Sequence, residues 1–213
     1  MNENILVERR KPLAERVEDL RKQLAGFDAE QLAIRSGGQY KEGSEQVKEI
    51  HFEMWGEDVY LNTQDFVACK YHDKTEFELA SQALVMYYLL TADGVLPAES
   101  WISFSELPDG RFYAQAFQGY TGKELGNFFE DSLEKFVIAA RKAGGTTYPL
   151  GDEACRFELF PRVSLLVVSW LGDEDFPSTY QVLFNSTTSH YLPTDACAIA
   201  GSMLTRRIIA AAL

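Results

Sequence analysis

The sequence predicts an α+β fold with a mainly antiparallel sheet and several packed helices. Three observations carry this. Strand-like segments come in hairpin pairs separated by short turn sequences, as in CRFELF and VSLLVVSW around Pro161-Arg162. Segments with helical periodicity stand between groups of strands and do not alternate one for one with them. The apolar fraction is 46% and the aromatic fraction 13%, enough to bury a core and too much for general disorder.

The elements follow in order. Residues 12–24 read as an amphipathic helix, with Leu13, Val17, Leu20 and Leu24 on one stripe and Pro12 in its first turn. FDAEQL opens a second helix. Asp28 caps it, Gln31 reaches back to the cap, Phe27 staples onto Leu32, and Gly37-Gly38 ends it. GGQYKEGSEQ reads as a loop and a boundary, so residues 1–44 form an N-terminal helical segment and 45–213 an α+β domain, together one compact unit. In EIHFEM, Ile50, Phe52 and Met54 alternate with Glu49, His51 and Glu53, the period of a sheet with one wet face. Gly56-Glu57-Asp58 turns into VYL, and DFVACKY is a third strand. A helix over 76–91 is apolar around most of its circumference and is therefore buried.

WISFSEL and RFYAQAF then read as two strands around the turn Pro108-Asp109-Gly110. Thr121-x-x-Glu124 is a capping box opening a helix that carries Leu125, Phe128, Phe129, Leu133, Phe136, Val137 and Ala140, closed by Gly144-Gly145. CRFELF, VSLLVVSW and YQVLF are strands. Thr194 caps a final helix from Asp195 to about Ala212.

Composition also bounds function. The formal net charge of -12 repels nucleic-acid phosphates and anionic lipid surfaces, so no nucleic acid and no membrane is expected as a partner. Cys69, Cys155 and Cys197 are isolated and odd in number, without a C-x-x-C. This argues against a disulfide framework and a cysteine-ligated metal, and a reducing cytoplasm fits best. The N-terminus lacks a signal-peptide apolar core, and no apolar run approaches the roughly 18 residues of a membrane span.

Chemistry is sparsely signalled. The acidic turn Asp173, Glu174 and Asp175 offers oxygen ligands for a hard cation, although the calcium-loop spacing is absent. With His190 as a base, Asp173 and Asp175 would serve a metal-assisted hydrolase or transferase. Turns, however, favour Asp and Gly for backbone reasons alone. Cys69-x-x-His72 has too few ligands for a metal assignment. GYTGKELG fails as a phosphate loop, because Phe117 stands where a glycine is needed and Glu124 where Ser or Thr is needed. The aromatic block offers another option: Trp101, Phe104, Tyr113 and Tyr120, with Phe112 and Phe117, could line a pocket for a flat ligand, or simply be core. An exposed apolar face at Leu13, Val17, Leu20 and Leu24 would instead favour a structural homodimer.

Four blocks, YYLLTADG, WISFSELPDGRFYAQAFQGYT, WLGDEDFP and SHYLPTD, carry a resemblance. Over residues 45–212 the chain resembles an uncharacterised domain-of-unknown-function family (DUF 3786 type) of anaerobic bacteria and archaea. The resemblance implies no assigned activity, no catalytic residues and no defined cofactor. Some members of the family join this domain to a four-cysteine iron–sulfur domain like that of corrinoid proteins. That implies an accessory or ligand-binding role linked to anaerobic corrinoid or redox metabolism. This chain has no cysteine cluster, so an iron–sulfur or corrinoid partner would be a separate protein.

Overall fold

The computed structural model describes residues 3–43 and 47–213, with side chains from Pro12 onward. The fold is α+β with two antiparallel sheets. The chain divides into two compact units, Met1–Val95 with His190–Leu192, and Leu96–Ser189 with Pro193–Leu213.

In the first unit, α1 (Glu3–Leu24) begins earlier than the periodicity suggested, so Pro12 lies inside the helix and not in its first turn. Val17, Leu20 and Leu24 are buried, and α1 packs against α3 (Leu79–Thr91). Three of the four stripe residues are therefore covered within the unit, while Leu13 stays partly exposed. Helix α2 (Ala29–Ser36) follows its sequence signals. The Asp28 carboxylate accepts the Gln31 backbone N–H at 2.8 Å, while Gly37 adopts φ 72° and Gly38 N–H bonds Ala33 O at 2.8 Å. Phe27 stays 47% exposed.

The four-stranded sheet runs in the order β1 (Gln39–Glu42), β2 (Lys48–Met54), β3 (Glu57–Asn62), β4 (Ala68–Lys70). Strand β1 occupies part of the stretch read as a loop. The β2 alternation holds: Ile50, Phe52 and Met54 are buried. The β2–β3 turn is Trp55-Gly56, one residue before the expected position, with φ of 55° and 74°. Two left-handed residues match the right-handed twist of a two-residue hairpin. Helix α3 is buried on most sides, as its composition requires.

The second unit holds a five-stranded sheet ordered β5 (Trp101–Ser103), β9 (Thr179–Asn185), β8 (Val163–Trp170), β7 (Glu153–Phe160), β6 (Thr146–Thr147). Around it pack α4 (Ala114–Tyr120), α5 (Gly122–Phe129), α6 (Leu133–Lys142) and α7 (Thr194–Ala212). Three sequence expectations are corrected here.

First, RFYAQAF is not a strand. Short 3-10 turns lead into α4, whose Ala-Gln-Ala run favours helix over the β preference of its aromatic neighbours. The overlooked signal is Ser103-x-x-Glu106: the Glu106 carboxylate accepts both the Ser103 N–H and hydroxyl at 2.7 Å. Those bonds hold the Glu106 carboxyl below its usual range.

Second, Thr121 does not cap α5. Its hydroxyl bonds back to Phe117 O at 2.6 Å, and the expected single helix is broken at Glu130, which has φ 49°.

Third, Thr194 is the first residue of α7, and its hydroxyl bonds Pro108 O at 2.5 Å. Among the described residues no helix is long and apolar enough to cross a membrane.

Candidate functional site: a neutral aromatic cleft

The cleft arises where β5 stops short. Strand β5 covers only Leu183–Asn185 of β9 before the chain leaves the sheet edge at Phe104. Further along that edge, the Tyr180 carbonyl accepts the Gln118 side-chain amide at 2.8 Å, so a glutamine of α4 supplies the donor that a strand would otherwise offer.

A cleft of about 290 Å³ lies here. Its apolar lining includes Phe104, Phe117, Trp170, Tyr180 and Val182, and its polar lining Ser103, Ser105, Gln118, Thr179 and Gln181. Phe104 and Phe117 stack at 4.2 Å between centroids with planes 14° apart, and both pack on Phe184. The Tyr180 hydroxyl donates to Glu130 O at 3.0 Å, and burial pushes its pKa up to about 12. Among the described residues the lining thus carries no group that is charged at neutral pH. Such a surface favours an uncharged ring system presenting hydrogen-bonding edges, since an ionic ligand would shed water here without gaining a counter-charge.

Glycine 122 makes this wall possible. A Cβ there would stand 2.0 Å from Tyr180 O and 2.3 Å from Gln118 Nε2. The glycine read against a phosphate loop therefore serves close approach of α5 to β9. Gly122→Ala is expected to destabilise the protein by about 1–3 kcal/mol, because the contact is with backbone that cannot rotate away. Urea denaturation would show it as a lowered midpoint at unchanged slope.

The sequence-derived candidates fall in different places. Phe104 lines the cleft. Tyr113 sits 6.3 Å from Phe104 and is half-exposed; Tyr120 packs on Tyr113 and Phe117 behind it. Burial, then the neighbouring Tyr113 hydroxyl, raise the Tyr120 pKa. Trp101 is not part of the cleft; it packs with Tyr148 and Leu183 over Ala154, Leu166 and Val168. Trp170, Tyr180, Gln118 and Gln181 were not singled out from sequence. Phe112 is 93% exposed.

Asp173, Glu174 and Asp175 line a separate cleft of about 500 Å³ in the same unit, together with Glu130 and Asp131. Hydrogen bonds within the protein occupy two of these carboxylates. Asp173 accepts the N–H groups of Asp175 and Phe176 at 2.9 Å each, and Asp131 accepts the Ser178 hydroxyl at 2.6 Å. Among the described residues no group of three or more His, Cys, Asp or Glu side chains is arranged to hold a metal ion. The three cysteines are buried free thiols, and burial raises the pKa of each.

His190 belongs to the first unit, where its Nδ1 lies 2.6 Å from the Asp93 carboxylate. The next residue, Tyr191, donates its hydroxyl to Val95 O and packs on Tyr88. The His190 bond, then the Val95 N–H, hold the Asp93 carboxyl below its usual range. A depressed carboxyl stabilises the fold above its unfolded pKa, near 4, and loses that contribution as pH falls through its lower folded value. Asp93→Asn should therefore be less stable than wild type at neutral pH, by a small margin given how exposed the pair is. The difference should vanish in acid. Urea titrations at stepped pH would check this; a difference that does not shrink as pH falls through the acid range would oppose it.

Fold and site together define an α+β protein of two antiparallel sheets with a small neutral cleft at one sheet edge. The chain belongs to the family described as Domain of unknown function (DUF3786), whose model matches residues 28–207. No curated protein and no solved structure matches it.

Proposed function

We propose that the chain is a ligand-binding protein whose second unit takes a small, flat, uncharged ring system in the Phe104–Phe117–Trp170 cleft. The observation that carries this reading is a stacked aromatic wall facing neutral hydrogen-bonding side chains, Ser103, Ser105 and Gln181, in one concave space. Its volume of about 290 Å³ is at the lower end of small-molecule sites and suits a fragment-sized ring, not a whole corrinoid macrocycle. The accessory role in cytoplasmic corrinoid or redox metabolism, with a separate iron–sulfur or corrinoid protein as partner, is supported by the family resemblance alone. In that setting the cleft would bind a ring fragment or a substrate of the partner.

Trp170, 37% exposed on the cleft, supplies the test. Uncharged bicyclic heteroaromatics should quench its fluorescence saturably, in a background where Trp55 and Trp101 are replaced by phenylalanine. Carboxylated analogues should bind at least tenfold more weakly. Equal binding of charged and neutral analogues would oppose the reading.

A further inference from the structure

The outer face of the four-stranded sheet carries a second cluster, remote in sequence from the cleft. The β register sets His51 opposite Tyr60 and Tyr60 opposite Cys69, so these side chains stand in one row across β2, β3 and β4. Tyr71 follows directly after β4. The His51 and Tyr71 rings meet edge to face at 5.4 Å, His51 and Tyr60 at 6.0 Å, and Tyr60 and Tyr71 at 6.2 Å with planes 86° apart. Three rings thus close a triangle. Glu49 Oε2 lies 2.7 Å from His51 Nε2, and the two side chains are only 12% and 15% exposed. A carboxylate therefore adjoins the rings.

An ammonium already lies over this box. Lys74 Nζ is 4.1 Å from the Tyr60 centroid and 4.4 Å from that of Tyr71. Both distances fall well inside the roughly 6 Å range of cation–π attraction. The turn carrying Lys74 does not depend on that ammonium. Lys74 N–H bonds Lys70 O at 3.0 Å, and Asp73 accepts both the N–H and the hydroxyl of Thr75 at 3.0 and 2.6 Å. Lys74 itself is exposed and Tyr71 is 49% exposed, so solvent reaches the box beside the side chain that fills it.

We propose that His51, Tyr60 and Tyr71, with Glu49 beside them, form a binding site for a small organic ammonium, and that Lys74 is its displaceable internal occupant. The ligand class follows from the lining. Ring faces next to a carboxylate select positive charge. Aromatic faces suit a weakly hydrated alkylammonium better than a strongly hydrated metal ion, which needs several oxygen ligands. Lys74 lowers the apparent affinity by the fraction of time it occupies the box.

The test is a choline titration of the full chain, followed by the NMR signals of the Tyr60 and Tyr71 rings. If Lys74 fills the box about nine-tenths of the time, Lys74→Met should bind about tenfold more tightly than wild type. Adding Tyr71→Leu to Lys74→Met should abolish the shifts. The neutral isostere 3,3-dimethylbutanol should not reproduce them. Lys74→Gln provides a second uncharged variant, and an unchanged Thr75 amide signal reports that the turn is intact. Equal affinity in wild type and both Lys74 variants would overturn the role of Lys74. Absence of tyrosine shifts in those variants, or equal binding of the neutral isostere, would overturn the site.

Discussion

Gln82→Leu is expected to lower the stability of the protein by about 1–3 kcal/mol, the cost of orphaning the buried Ala68 N–H. Gln82 is 1% exposed on an otherwise apolar face of α3. Its Oε1 accepts the Ala68 N–H at 2.9 Å, and its Nε2 donates to Ala68 O at 2.8 Å and to Phe77 O at 3.3 Å. Arg21 of α1 adds a fourth bond to Oε1 at 3.1 Å. The amide thus acts as a one-residue strand at the end of β4. Leucine would fill the space and leave the N–H of Ala68 buried and unpaired, while Ala68 O keeps only the Phe77 N–H at 3.1 Å. Gln82→Glu keeps the acceptor and loses the donor, so it too should destabilise, and more strongly at high pH where the carboxyl is charged. Urea denaturation measures both; a loss below about 0.5 kcal/mol for Gln82→Leu would mean the bonds are readily replaced.

Phe117→Ala is the second large effect. The ring is 2% exposed, stacked on Phe104 and packed on Phe184 and Tyr120, and the site of a Cβ at Gly201 would fall 2.5 Å from it. Truncation should cost about 3–5 kcal/mol. It should also remove half of the stacked wall, so a ligand held there should bind at least tenfold more weakly even under conditions where the variant remains folded. Trp170→Ala separates the two effects. It acts on a partly exposed side chain of the cleft and should weaken binding with little loss of stability.

How much of this was legible in the sequence depends on the range of the interactions. Strands β2, β7, β8 and β9 were readable because alternation and two-residue turns are local signals. Helix α2 was readable because Asp28 and Gly37-Gly38 mark both its ends. Helix α4 was misread because aromatic residues with strand preference surround its Ala-Gln-Ala core, while the Ser103-x-x-Glu106 cap was passed over. The Thr121-x-x-Glu124 pattern failed for a tertiary reason. Thr121 is fully buried, and its hydroxyl bonds Phe117 O within the preceding turn.

The site was half legible. Phe104 and its neighbours Tyr113 and Tyr120 come from one aromatic block. The facing residues Trp170, Tyr180 and Gln181 come from strands more than fifty residues later, and no local period announces that β5 ends early against β9. The Asp93 partner of His190 is 97 positions away. Gln82 did leave a local trace: a lone amide in a helix apolar nearly all round must find buried partners.

If the Phe104–Phe117–Trp170 cleft binds a small neutral planar ligand, fragment soaking should reveal it. Crystals soaked with a panel of uncharged bicyclic fragments, alongside their carboxylate and ammonium analogues, test it most directly. Neutral fragments should settle in the cleft, against the aromatic wall and hydrogen-bonded to Ser103, Ser105 or Gln181, with the charged analogues absent. A cleft that stays empty across the panel while fragments settle elsewhere on the surface, or one that takes charged analogues equally well, would contradict it.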